Sequence, residues 1–312
     1  MVGGMVDGDR VAVGFQCTAC GKCCNSPPLM SMDELFRHAG RFVGALSLRR
    51  VRPPRVGIRH VVDGHLVEVT ADDVAAFAAL ARRQGHPLPN GDVLMIATQA
   101  IDYPSRGRCP ALADDGRCTI HASRPSTCAM VPLDAWVPDR LQAVSLAAKR
   151  RGGDHDIGAD CLAVVPSTPS PSPSRPRPGG HIPLVVAGAV ADRDYAAALA
   201  RRRDDEADDK HQWGDAVYRL LAPELLGPAR GIESIPFAGY RTLPLVPVLA
   251  VLANGGPETR ARCLSYIGAQ RRLIAASLEA ALARRRVDDK PMTAQLRQFD
   301  ATLSALGQRL AH

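Results

Sequence analysis

The sequence predicts an α+β protein, in which a small irregular cysteine-rich metal-binding domain with short hairpins and helices precedes a mostly α-helical C-terminal region. Three observations predict it. Eight of the nine cysteines fall within the first 161 residues. A Pro/Ser-rich tract over residues 166–180 cannot build a core and reads as an extended, solvated linker. Beyond it the composition turns to Ala, Leu and Arg at helical spacing. The expected division is a cysteine-rich metal- or cluster-binding domain over 1–165, a linker over 166–180 and a helical domain over 181–312.

In chain order, Ser31-Met-Asp-Glu34 has the form of a capping box and predicts a short helix carrying Leu35, Phe36, Ala39 and Phe42. Ile58 to Val69 reads as a hairpin turned by Asp63-Gly64. Thr70-Ala-Asp-Asp73 starts a second helix, with Val74, Phe77, Ala78 and Leu80 inward and an end between Gly85 and Pro89. Val93–Ala97 predicts a strand. Cys109 to His121 forms a tight knuckle turned by Asp115-Gly116, and Arg124-Pro125 opens a helix, with Pro in its first turn, that brings Cys128 back over it. Helices are expected from Asp192 to Leu221, ending before Pro223, from Pro257 to Arg286 on an apolar stripe of Leu264, Ile267, Ile274, Leu278 and Leu282, and from Met292 to Leu310.

Hydrophobic residues make up 46% of the chain and aromatics only 4%, so Leu, Val and Ala must fill the core. The net charge of +7 comes from scattered Arg, which predicts a solvated basic surface and no nucleic-acid partner. No export signal is visible in Met1-Val-Gly-Gly-Met-Val-Asp7, so a cytoplasmic location is expected, where clustered cysteines serve as metal ligands or redox thiols. Leu243–Ala253 is too short, and too broken by Pro244 and Pro247, to span a bilayer, so no membrane partner is expected.

The candidate metal and cofactor ligands are Cys17, Cys20, Cys23, Cys24, Cys109, Cys118, Cys128 and Cys161. Zinc and iron–sulfur clusters both favour thiolates, and cysteine alone does not separate them. The spacing of the first run departs from the bacterial ferredoxin pattern at Cys24, which directly follows Cys23. Adjacent side chains point in different directions and chelate one ion poorly. The expected division gives Cys17, Cys20, Cys23 and one later cysteine to a first centre, and Cys24 with the other three to a second. Which later cysteine crosses over is open at this point. Cys263, midway along an apolar helix, reads as a buried free thiol.

Phe15-Gln-Cys17-Thr-Ala-Cys20-Gly-Lys-Cys23-Cys24, with Cys109-Pro110, Gly116-Arg-Cys118-Thr-Ile120, Arg124-Pro125-Ser-Thr-Cys128 and Cys161, resembles the cysteine-cluster proteins described as zinc- or iron-chelating, which include the cluster-bearing part of flagellin lysine N-methylase. The resemblance covers residues 15 to 161 and departs from the family at Ala129-Met-Val-Pro132, where a basic or aromatic residue is expected before Pro. It implies that the eight cysteines are ligands, that Cys263 is not, and that methyl transfer from S-adenosylmethionine to a protein lysine belongs to some members.

Among polar companions, His121 could be a ligand, a donor behind the ligands or an exposed residue, and Lys22 and Arg117 could offset thiolate charge. His155, between Asp154 and Asp156, could line a substrate site or an open metal position. Phe15, Leu112 and Ile120 could shield a cluster. The leading expectation is an iron–sulfur protein, with one or two clusters of the 4Fe–4S type, that modifies a protein or small molecule. Alternatives are a zinc-dependent structural or partner-binding module and a metal store or redox sensor.

Overall fold

The computed structural model describes residues 11–101, 109–152, 159–165, 180–227 and 231–312. The opening segment, the Asp154–Asp156 group and tract 166–179 lie outside the described residues. Strand β1 (Ala12–Phe15) leads into the first cysteine run. The predicted capping box is present, with Glu34 N–H donating to Ser31 Oγ and Ser31 N–H to Glu34 Oε2, and it starts helix α1 (Met32–Arg37). β2 (Gly44–Val51) follows, then the predicted hairpin of β3 (Arg59–Val62) and β4 (His65–Glu68). Asp63 and Gly64 both take positive φ there, as a tight two-residue turn demands. Thr70 and Asp73 close a second capping box on α2 (Ala71–Gln84), which buries Phe77 and Ala81 and leaves Leu80 half-buried.

β5 (His86–Pro87) and β6 (Val93–Ala100) come next, then α3 (Ser126–Met130), α4 (Gln142–Gly152) and β7 (Leu162–Val164). Pro125 stands just before α3 rather than in its first turn. The remaining chain gives β8 (Ile182–Val186), β9 (Ala189–Val190), α5 (Arg193–Asp209), a π turn at Lys210–Gly214, and α6 (Asp215–Leu225). Pro223 lies inside α6, so the expected stop before it fails; a proline in the last turn removes only one helical hydrogen bond. β10 (Arg241–Leu243), α7 (Val246–Ala253), α8 (Pro257–Arg284) and α9 (Lys290–Ala311) complete the fold. Among the described residues, no helix is long and apolar enough to cross a membrane.

Two antiparallel sheets organise these elements, in the orders β7-β1-β8-β9 and β10-β2-β6-β5. Each takes strands from both sides of tract 166–179. β6 is buried along its whole length because its faces serve different cores. Leu94, Ile96 and Ala100 enter one with α1, α7, α8 and α9, whereas Val93, Met95 and Ala97 enter the other with α2, α4 and the first sheet. Period-two alternation is thus present but hidden, since both sides are apolar.

The stripe expected on α8 is corrected in one respect: Leu282 is 60% exposed, and the buried face instead carries Cys263, Tyr266, Ile267, Gln270, Ile274, Ser277 and Ala281. Gln270 sets this face. Its amide donates to the Ala39 and Phe42 carbonyls and accepts from Gly44 N–H at 2.9 Å, so a polar side chain is buried at no loss of hydrogen bonds. Gly44 is required at that junction, where a Cβ would collide with the Tyr266 hydroxyl and Leu245.

Glu34 makes a second long-range tie. While Oε2 completes the α1 cap, Oε1 accepts from Ser126 N–H at 2.6 Å, so one buried carboxylate holds the starts of α1 and α3. Glu34→Ala leaves both N–H groups without their acceptor and is expected to lower unfolding free energy by about 2–4 kcal/mol in urea titration. Glu34→Gln keeps one acceptor and should fall between Ala and the parent.

His86 supplies a pH signature. Its ring stacks on Tyr218 at 4.5 Å, and burial, then Lys210, draw it down from 6.5 to about 4 despite Asp215 at 3.5 Å. Above pH 6.5 both states hold it neutral; below, the unfolded chain takes the proton first, so stability is lost as pH falls from 6.5 towards 4. His86→Gln should shed up to about 3 kcal/mol of that acid loss. Unfolding curves at successive pH values would show it, and parallel profiles for parent and variant would refute it.

Candidate metal centre

β1 delivers the chain to the first cysteine run beside Cys161, because Gln16 N–H donates to the Cys161 carbonyl at 2.9 Å and Thr18 Oγ1 lies 3.3 Å from Cys161 Sγ. Ala19 and Gly21 take positive φ and curl the loop, after which Cys23–Asn25 forms a single 3-10 turn. The second group packs onto this loop. In the knuckle, Leu112 bridges to Cys118, Thr119 N–H donates to Ala111, and Gly116 turns the chain at φ +78°. A Cβ at Gly116 would lie 2.8 Å from the Ala19 carbonyl oxygen, so glycine permits both the turn and the close approach.

The segment after the first run grips the second group at further points. His38 Nε2 donates to the Ser123 carbonyl at 3.0 Å, and Arg41 donates to the Pro110 carbonyl and Thr119 hydroxyl. α3 then presents Cys128. The outcome is one cavity of about 520 Å³ whose wall includes all eight candidate cysteines, Cys17, Cys20, Cys23, Cys24, Cys109, Cys118, Cys128 and Cys161. None is in a disulfide; Cys17 and Cys20 are exposed, and Cys161 is buried. Cys263 lies away from this cavity, buried in the core around α8.

Electrostatic interactions couple the thiols. Cys23 is raised by the hydrogen bond it shares with Cys24, then by burial and by repulsion from Cys24, Cys17 and Cys20. That same hydrogen bond draws Cys24 down to about 7. Cys128 is pushed up to about 12 by burial first, then by Cys109, Cys24, Glu34 and Cys118. Cys24 acts on both Cys23 and Cys128, so these interactions link the thiols into one field, and Cys161 is tied to the first run through Thr18. Thiols that oppose one another's ionisation in this way form a site that positive charge relieves. Among the described residues, no three His, Cys, Asp or Glu side chains form a group that could hold one metal ion.

Phe15 and Ile120 line the cavity as apolar cover, while Leu112 touches the loop at Gly21. His121 is exposed at the rim, where Arg124 donates to its Nε2 at 2.9 Å, and Arg117 stands beside it, largely in solvent. Ala111 N–H donates to Cys109 Sγ at 3.4 Å. Tyr195, absent from the sequence expectations, lines the cavity from the first turn of α5 and packs edge-on against Phe15 at 5.7 Å. Asp192 caps that turn by accepting from Asp194 and Tyr195 N–H, the one local signal for this placement.

Neither a curated protein nor a solved structure matches the chain significantly. A family model does match, and its span takes in every cysteine of the cavity except Cys161. Residues 16–148 match the family model CxxCxxCC, described as a putative zinc- or iron-chelating domain.

Proposed function

We propose that the domain is an iron–sulfur protein with two centres, one held by Cys17, Cys20, Cys23 and Cys161 and the other by Cys24, Cys109, Cys118 and Cys128. The observation that carries this reading is the cavity lined by all eight cysteines, none in a disulfide, with Cys161 held against the first run at Gln16 and Thr18, and Cys109 and Cys118 among the neighbours of Cys128. A mononuclear zinc site draws its sulfurs to roughly 3.8 Å from one another, given Zn–S bonds of about 2.3 Å. Eight cysteines around one cavity are twice what such a site uses, which suits larger centres better.

Such clusters supply one-electron chemistry when bound. The chain's own part is to hold and tune them. Ala111 N–H and the Thr18 hydroxyl, placed against Cys109 and Cys161, would stabilise charge on sulfur, whereas Phe15, Ile120 and Tyr195 would limit solvent access. Exposure of Cys17 and Cys20 leaves the first centre the more accessible to a redox partner or oxidant. Methyl transfer from S-adenosylmethionine stays an implication of the resemblance alone.

Protein purified without oxygen should contain iron and acid-labile sulfide in matching amounts, with broad visible absorbance. Cys161→Ser and Cys24→Ser should each remove about half of the iron, from different centres, and the double variant nearly all of it. Stoichiometric zinc without sulfide would replace this reading with a zinc module.

A further inference from the structure

A second cavity, of about 640 Å³, lies behind the cysteine cavity, and Cys23 and Cys128, one from each thiol set, belong to the walls of both. Its far end is built differently. There Glu206 is 7% exposed and Trp136 4% exposed, and both line the space together with Arg49, Asp134 and Tyr240. Glu206 Oε1 is engaged by Arg202 at 2.8–2.9 Å, but Oε2 is buried without a hydrogen-bond partner. Burial raises the Glu206 carboxyl and Arg202 opposes the rise; the Trp136 indole N–H faces the same carboxyl and opposes it too, though the two stop short of hydrogen-bond geometry. Arg49 Nε is likewise buried and unpartnered, with the guanidinium lying over Tyr240 at 5.7 Å.

Buried polar atoms are almost always satisfied, so this concentration of unmet acceptor and donor valence around a cavity is informative. The acceptor and donors call for opposite groups on a visitor. Glu206 Oε2 needs an N–H, best from an ammonium, whereas Trp136 Nε1 and Arg49 Nε need an oxygen, best from a carboxylate. The wall also carries apolar Leu29, Met95, Met130 and Met292, alongside the polar side chains of Gln99, Thr127, Lys149 and Gln295. Methionines adapt to unbranched chains of differing length.

We propose that this cavity is a binding site for a small amino-acid-like zwitterion, whose ammonium meets Glu206, whose carboxylate meets Arg49 and Trp136, and whose apolar chain runs towards Cys23 and Cys128. The polar end stands on its own geometry. Only the statement that the ligand's tail faces a metal centre rests on the function proposed above.

The test is calorimetric titration of the full chain, purified without oxygen, with L-norleucine, hexanoate and hexylamine, which share an unbranched carbon chain but differ in charge. Norleucine should bind at least tenfold more tightly than either singly charged probe. Glu206→Gln should weaken norleucine at least tenfold while leaving hexanoate unchanged. Because Glu206→Gln also disturbs Arg202, Arg49→Gln and Trp136→Phe serve as further variants and should each weaken norleucine and hexanoate while sparing hexylamine. Absence of norleucine binding, equal binding of all three probes, or indifference to all three substitutions would overturn the proposal. Iron and sulfide measured on the same samples separate the two readings: norleucine binding to protein lacking iron would leave this site standing and remove the cluster.

Discussion

The arrangement of the cysteines depends on one carboxylate. Glu34 is 2% exposed and accepts from the backbone at Ser31 and at Ser126, which are far apart in sequence but begin the two helices flanking the thiols. An anion so deeply buried is costly unless donors surround it, and these donors are helix-starting N–H groups that would otherwise lack acceptors. Each deficit cancels the other. The consequence is positional: the loop bearing Cys23 and Cys24 and the helix bearing Cys128 cannot slide relative to each other without breaking a charge-assisted hydrogen bond. His38 and Arg41 extend the same grip onto the carbonyls of the knuckle and its exit.

Behind this clamp stands α5. Its Arg202 and Glu206 form a fully buried pair, and Asp209 at its end accepts from Met32 N–H at 3.3 Å and from Trp213 Nε1 at 2.9 Å. Burial raises the Asp209 carboxyl to about 7, against the pull of those two donors and Arg202. Buried ion pairs give little net stability, because desolvation offsets their attraction. What they fix is location, and here they seat the start of α1 on a helix from the other side of the sequence. Gln270 of α8 does the same for the turn after α1, with three hydrogen bonds to backbone. The second half of the chain therefore acts as a frame for the first.

How far all this was legible in the sequence follows from whether the determinant is local. Ser31 with Glu34, Thr70 with Asp73, Asp63-Gly64 and Asp115-Gly116 each carry their partner within a few residues, and each forms as the pattern indicates. Gln270 and Leu282 could not be read so. A polar residue in a helical pattern normally marks the solvent face, yet here the open carbonyls at Ala39 and Phe42 turn it inward and leave Leu282 outside. The placement of Cys161 beside the first cysteine loop was equally hidden, because it arises from antiparallel β1 and β7, whose register no spacing rule contains. Tyr195 belongs to the same class, since only its cap is local. The eight cysteines were conspicuous by residue type and the cavity they share was not.

The two cavities follow from one constraint. α3 is short, starts on Glu34 and packs on α5, so Cys128 must stand between the knuckle on one side and the Glu206 region of α5 on the other. Cys23, from the first loop, likewise lines both cavities, so these two residues belong to the wall between them. On one side of this wall eight soft sulfurs gather, the donor set that metal favours. On the other, the unpaired atoms are hard nitrogen and oxygen that call for a charged organic molecule. A frame of buried charge on α5 is expensive as mere packing, but it is the same element that positions Cys128 and supplies Glu206. The physical logic of the second half of the chain is thus to place a hydrogen-bonding pocket at a fixed separation from the thiols.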